Sequence, residues 1–110
     1  MQTIVILLDP KKLENPDTDL CYVIPKCIEE ASNGAIQYNG YTYIGEDYAP
    51  IMGIWLKTAS ADESWPFIAA LFQKQKFIEN DLYQSAQILI SEKDTEKELK
   101  NCTLVFPKAS

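Results

Sequence analysis

Residues 38–48, YNGYTYIGEDY, hold four tyrosines, two glycines and two adjacent acids. Tyrosine suits binding more than catalysis. It offers a large contact area with few torsions to order, and it is enriched at interface hot spots. Glu46 and Asp47, set among Tyr41, Tyr43 and Tyr48, would pair with lysines and arginines of a basic partner and speed its arrival. The plainer account is that tyrosines favour strands and acids favour turns.

Other residue sets point less clearly to chemistry. Glu29-Glu30 and Asp62-Glu63 are paired acids, but glycosidase-type hydrolysis needs two carboxylates facing each other across a cleft. Their positions fit a solvated helix face and a helix start, with Asp62 and Glu63 as possible rim charges of a binding surface. Asp9, Asp17 and Asp19 are oxygen donors of the kind magnesium takes, yet no glycine-rich phosphate loop accompanies them. Turn and cap roles account for all three. Ser60, Ser64 and Ser85 have no histidine to activate them. Cys21 and Cys27 lie six residues apart, about 240° around a helix, which suits neither a zinc pattern nor a redox pair. With Cys102 they read as reduced thiols filling a core. The sequence therefore implies no catalytic residue, no metal and no cofactor.

The charges narrow the partners. Sixteen acids face ten bases, all of them lysine, for a net charge of −6, with no histidine and no arginine. Phosphate backbones are bound through basic patches, so a nucleic acid is disfavoured. The absence of histidine removes the commonest general base, and the absence of arginine removes the bidentate clamp for phosphate or carboxylate. No stretch approaches the ~20 apolar residues of a membrane span. The apolar start, MQTIVILLDP, has no basic leader and reads as a buried strand of a cytoplasmic protein.

At 110 residues and 46% hydrophobic content, the chain predicts one domain, residues 1–110, with a core of its own. Thr3–Leu8 is a continuous apolar, β-branched run, the pattern of a central strand. Residues 19–32 predict a helix on the spacing of Leu20, Val23 or Ile24, Cys27, Ile28 and Ala31. Asp17 or Thr18 can cap it and Asn33-Gly34 can stop it. Pro25 either kinks that helix or begins it. Asn39-Gly40 between two β-rich tetrads predicts a hairpin turn, with Tyr41 and Tyr43 on one face and Thr42 and Ile44 on the other. Residues 51–58 predict another strand, with Gly53 at a bulge or a close approach. A second helix opens at Ala61, with Phe67, Ile68, Leu71, Phe72 and Ile78 on its apolar stripe, and closes at Glu79-Asn80-Asp81. Residues 83–91 and 102–106 predict the last strands. Thr95 and Glu98 match a capping box between them. The resulting order, β-α-β-β-β-α-β-β, predicts an α+β fold. It would be a mostly antiparallel sheet with two helices on one face, a two-layer sandwich.

The segments LENPDTDLCYVIPKCIEEASNGAI, NGYTYIG, IWLKT and ENDL resemble a group of small bacterial proteins. These carry an N-P-D leader before a Y-x-x-P helix, a G-Y-x-Y hairpin and an N-D-L after the second helix. The resemblance spans residues 9–91 and implies a soluble bacterial α+β domain, with no catalytic residue to carry over. In style, through Tyr41, Tyr43, Glu46, Asp47 and Tyr48, the chain also resembles bacterial immunity proteins that neutralise contact-dependent toxins and nuclease bacteriocins. That likeness implies a non-enzymatic protein whose acidic, tyrosine-bearing surface covers a basic active site. A self-associating module and a small carboxylate-dependent enzyme are the alternatives.

Overall fold

A computed structural model describes residues 1–45, 50–94 and 99–107. Its organising element is β1, Gln2–Leu8, buried along nearly all its length. β1 pairs antiparallel with β3 (Ile51–Thr58) on one side and β4 (Ala86–Ser91) on the other. β2 (Ile36–Ile44) and β5 (Thr103–Phe106) form the two edges, so the strand order is β2-β3-β1-β4-β5. All four pairings are antiparallel. The α+β class expected from the sequence is the one observed.

The strand count differs from the expected order. Asn39-Gly40 does not reverse the chain, and the two tetrads beside it are halves of one strand. Tyr38 lies opposite Leu56 and Tyr41 opposite Ile54, three steps along β2 against two along β3. This is a β-bulge, and Gly40 takes the positive φ of 98° that such an insertion favours. A hairpin at this point would pair two four-residue tetrads with each other. The bulge instead lets β2 pair with β3 from Thr58 to Ile51. The chain turns back only after Ile44, where Gly45 has a φ of 105°.

Helix α1, Leu20–Ala31, buries Leu20, Cys21, Ile24 and Ile28 and runs through Pro25 as one element. Pro25 therefore does not begin it. The Asp17 carboxylate accepts the Asp19 N–H at 2.9 Å, and Asn33 and Gly34, at φ 53° and 82°, end the helix in the left-handed region. Helix α2, Ala61–Lys74, carries Asp62 and Glu63 in its first turn and Lys74 in its last, as the helix dipole favours. It is shorter than its apolar stripe suggested, because Ile78 belongs to a separate turn. A short helix, α3, Leu82–Ser85, takes the place expected for the start of β4. The expected capping box at residues 95–98 lies outside the described residues.

Ile4, Ile6 and Leu8 share a buried cluster with Leu20, Ile24 and Ile28 of α1, Ile68 and Phe72 of α2, and Ile54 and Leu56 of β3. The alternate residues of β1 point the other way. Val5 and Leu7 pack with Trp55, and Ile44, Ile51, Leu89, Leu99 and Cys102 close around them. Trp55 donates its indole N–H to Thr42 Oγ at 3.1 Å. Gly53 sits beneath this contact. A Cβ there would lie 3.1 Å from Ile44 Cδ1, so the position is a close approach and not a bulge. Among the described residues no helix is long and apolar enough to cross a membrane.

Asn80 is fully buried, and its amide is fully used. Its oxygen accepts the Asn15 N–H at 2.8 Å, and its nitrogen donates to the carbonyls of Asn15, Phe77 and Ile78 at 2.7, 3.1 and 3.0 Å. The side chain thus pairs with the backbone of Asn15 as a neighbouring strand would. It joins the N-P-D and N-D-L segments, which lie 65 residues apart. Phe77 and Asn80 also exchange backbone bonds of 3.0 and 2.9 Å around a turn in which Ile78 and Glu79 both have positive φ, 46° and 68°. Glycine and asparagine suit such a turn, and a β-branched residue is strained there. Asn80→Ala leaves the half-buried Asn15 N–H without its acceptor and the carbonyls around it without their donor, and should lower stability by about 2 kcal/mol in urea titration. The exposed Glu79→Gly should raise it by about 1 kcal/mol, because the left-handed backbone penalises a Cβ.

Candidate functional site

The bulge in β2 decides where the tyrosines go. Successive strand residues alternate faces, so residues three apart would normally point in opposite directions. The extra residue at Asn39-Gly40 restores the phase. Tyr38, Tyr41 and Tyr43 lie opposite Leu56, Ile54 and Met52, and all therefore share the face on which α1 packs. Thr42 and Ile44 occupy the other face, beside Trp55, as the alternation predicted.

Helix α1 adds a fourth ring. Tyr22 meets Tyr41 edge to face, with centroids 5.7 Å apart, and Tyr41 meets Tyr43 in the same way at 5.8 Å. The hydroxyls of Tyr22 and Tyr41 are 3.3 Å apart. The outer two rings of this chain are open, with Tyr22 56% and Tyr43 48% exposed. Beneath them, Cys21 Sγ lies 3.8 Å from Met52 Sδ, and burial pushes the Cys21 thiol pKa up.

Three of these phenols are shifted away from ionisation. The hydrogen bond to the Tyr41 hydroxyl, with the repulsion its anion would add, pushes the Tyr22 pKa up to about 12. Tyr38 and Tyr43 are raised chiefly by desolvation. The raised pKa values make these phenols weaker acids still, so they stay protonated at physiological pH. What remains is a surface of neutral rings and hydroxyls, suited to contact.

The C-terminal half of α1 closes one stretch of the β2 edge. Glu29 Oε1 accepts the Tyr38 N–H at 2.7 Å, and Ser32 Oγ accepts the Ile36 N–H at 3.1 Å. Glu29 therefore caps the edge strand, beyond the solvated-helix role its sequence position suggested, while Glu30 is exposed.

The remaining candidates lie elsewhere. Glu46, Asp47 and Tyr48 lie outside the described residues. Asp62 lines a groove of about 620 Å³ with Gln2, Ser60, Glu92, Lys93 and Thr103, next to β4 and β5 at the opposite side of the sheet from β2. Glu63 shares the first turn of α2 without lining that groove. A smaller groove of about 410 Å³ lies among Lys12, Glu14, Asp81, Gln84 and Ser85. Asp9 accepts the Lys11 N–H and caps the short turn at Pro10–Lys12. The Ser64 hydroxyl bonds to Thr58 and that of Ser85 to the Asp81 carbonyl. Cys21, Cys27 and Cys102 are not joined by disulfides. Among the described residues no three histidine, cysteine or acidic side chains gather as a metal site would require.

No protein-family model, curated protein or solved structure matches the chain. The site therefore has to be read from its own geometry.

Tyr22 is the residue the sequence reading missed. It lies off the apolar stripe of α1, and nothing in its spacing indicates a ring of β2 beside it. Its exposure and its raised pKa supply the test. Tyr41→Phe removes the hydrogen-bond partner, so the Tyr22 pKa should fall from about 12 toward the ordinary value of 10.0 in an ultraviolet pH titration. A raised phenol pKa means that the folded state holds its proton more tightly than the unfolded state. The associated stability is present below pH 10 and is lost as pH rises through about 12. That decline should be weaker in Tyr41→Phe.

Proposed function

We propose that this chain is a non-enzymatic binding protein that presents the tyrosine-lined edge of its sheet to a basic protein partner. The observation that carries this reading is the chain of rings Tyr22–Tyr41–Tyr43, exposed at both ends and held by a helix and a strand. Rings already ordered by their neighbours lose little freedom on binding, which favours affinity. Neutral phenols can lie against a cationic side chain without a desolvated charge of their own, and each such cation–π contact contributes about 0.5–2 kcal/mol. The excess of acids over lysines draws a basic partner from a distance.

In its most specific form the proposal is an immunity protein of the bacterial cytoplasm. The tyrosine surface would cover the basic groove in which a toxin domain holds its substrate, and the mechanism is occlusion. Glu46 and Asp47 supply charge next to Tyr43 in sequence. Asp62 and Glu63 would act as a more distant source of negative potential.

Affinity capture of the tagged chain from its native cells, including the product of the neighbouring gene, tests this directly. The expected result is one basic partner whose binding weakens with added salt. Tyr22→Ala and Tyr43→Ala should each weaken it at least tenfold, and Glu46→Lys with Asp47→Lys should slow its association. Undiminished binding by the double tyrosine variant would sink the proposal. Recovery of the chain alone, with a mass that rises with concentration, would favour self-association instead.

A further inference from the structure

Among the described residues, the edge of β2 is half closed and half open. Ile36 and Tyr38 send their N–H groups away from β3, to Ser32 and Glu29. Their positions opposite Thr58 and Leu56 are therefore the kind at which paired strands do not exchange hydrogen bonds. Two steps along β3 bring the same kind of position again. The bulge absorbs the extra residue of β2, so Tyr41 opposite Ile54 and Tyr43 opposite Met52 are also of this kind. The N–H and C=O groups of Tyr41 and Tyr43 thus point outward, away from the sheet. No described residue bonds to them there.

An open strand edge is a template for another strand. Many edges are guarded by a lysine or proline, but Tyr41–Ile44 has neither. The guard that α1 provides stops at Tyr38, short of the half-buried Tyr41 and the exposed Tyr43. From this we infer that residues 41–44 accept an extended segment of the partner as a sixth strand, and that the segment alternates basic and apolar side chains. The inference rests on the tyrosine-surface reading above and adds to it the mode of binding. Backbone pairing with Tyr41 and Tyr43 would supply affinity, and alternate side chains would supply specificity. Side chains on the α1 face would meet the rings of Tyr22, Tyr41 and Tyr43, where a lysine or arginine can stack. Those on the other face would meet Thr42 and Ile44, where an apolar residue fits. The occupant is basic because the chain carries a net charge of −6, and α1 itself carries Glu29 and Glu30 against Lys26. A second copy of this acidic chain has no such complementarity.

The test uses the full isotopically labelled chain and an acetylated, amidated octapeptide of alternating lysine and valine. A serine–valine octapeptide serves as control. Binding and amide hydrogen exchange are followed by NMR. The lysine peptide is expected to bind at least tenfold more tightly than the serine peptide. At saturation it should slow exchange of the Tyr41 and Tyr43 amides at least tenfold, while those of Ile36 and Tyr38 keep their rates. Shifts at the tyrosine rings without slowed exchange at Tyr41 and Tyr43 would overturn strand addition and leave the tyrosine-surface reading standing. Equal binding of the two peptides would overturn the basic occupant. No binding of the lysine peptide would overturn the inference as a whole, while partner capture with the tyrosine variants still decides the reading beneath it. Slow exchange at Tyr41 and Tyr43 without peptide, deepening with protein concentration, would assign the edge to a second copy and overturn the inference as well.

Discussion

β1 offers two hydrogen-bonding edges and two apolar faces, and the other elements are placed by filling them. β3 and β4 take its edges. Ile4, Ile6 and Leu8 share one buried cluster with residues of α1 and α2, and Val5 and Leu7 share another with Trp55. A backbone buried on both sides has no water to bond its N–H and C=O groups, so both of its edges must be paired. An uninterrupted apolar strand is for that reason pushed to the middle of its sheet. The outermost positions go to β2 and β5, whose exposed residues tolerate one open edge.

At the β2 edge a single inserted residue links fold to surface. Without it, Tyr38 and Tyr41 would face opposite sides of the sheet and no row of rings could form. With it, three tyrosines of one strand stand on the α1 face, and Tyr22 extends the row onto the helix. The same phase sets the direction of the backbone groups. Glu29 and Ser32 close the edge before the bulge, and Tyr41 and Tyr43 leave it open beyond. Aromatic surface and open backbone thus coincide through one register shift.

Polar groups inside the molecule hold segments that apolar packing alone would leave loose. Asn80 acts as a piece of backbone, using its amide oxygen and nitrogen to pair with Asn15. Such a network is stabilising only when complete, since a buried amide left unpaired is costly. Its bonds also hold a turn in which Ile78 and Glu79 adopt a conformation that neither residue type prefers. The Asn80 of the N-D-L segment is thereby accounted for by folding.

The sequence by itself determined whatever depends on neighbours along the chain. The apolar run of β1, the stripes of α1 and α2, the left-handed stop at Asn33-Gly34 and the alternation of Tyr41 and Tyr43 with Thr42 and Ile44 follow from local period and backbone preference. The lack of histidine and arginine likewise limits the chemistry without reference to the fold. Only the tertiary structure decided the rest. Asn39-Gly40 satisfies the backbone demands of a tight turn and of a bulge alike, and the eight residues of β3 lying opposite selected the bulge. Tyr22 joined the site because α1 packs against β2, and Asn80 was buried because residue 15 lies beside it. Each of these depends on a residue distant in sequence, and composition and spacing carry no record of what lies across the sheet.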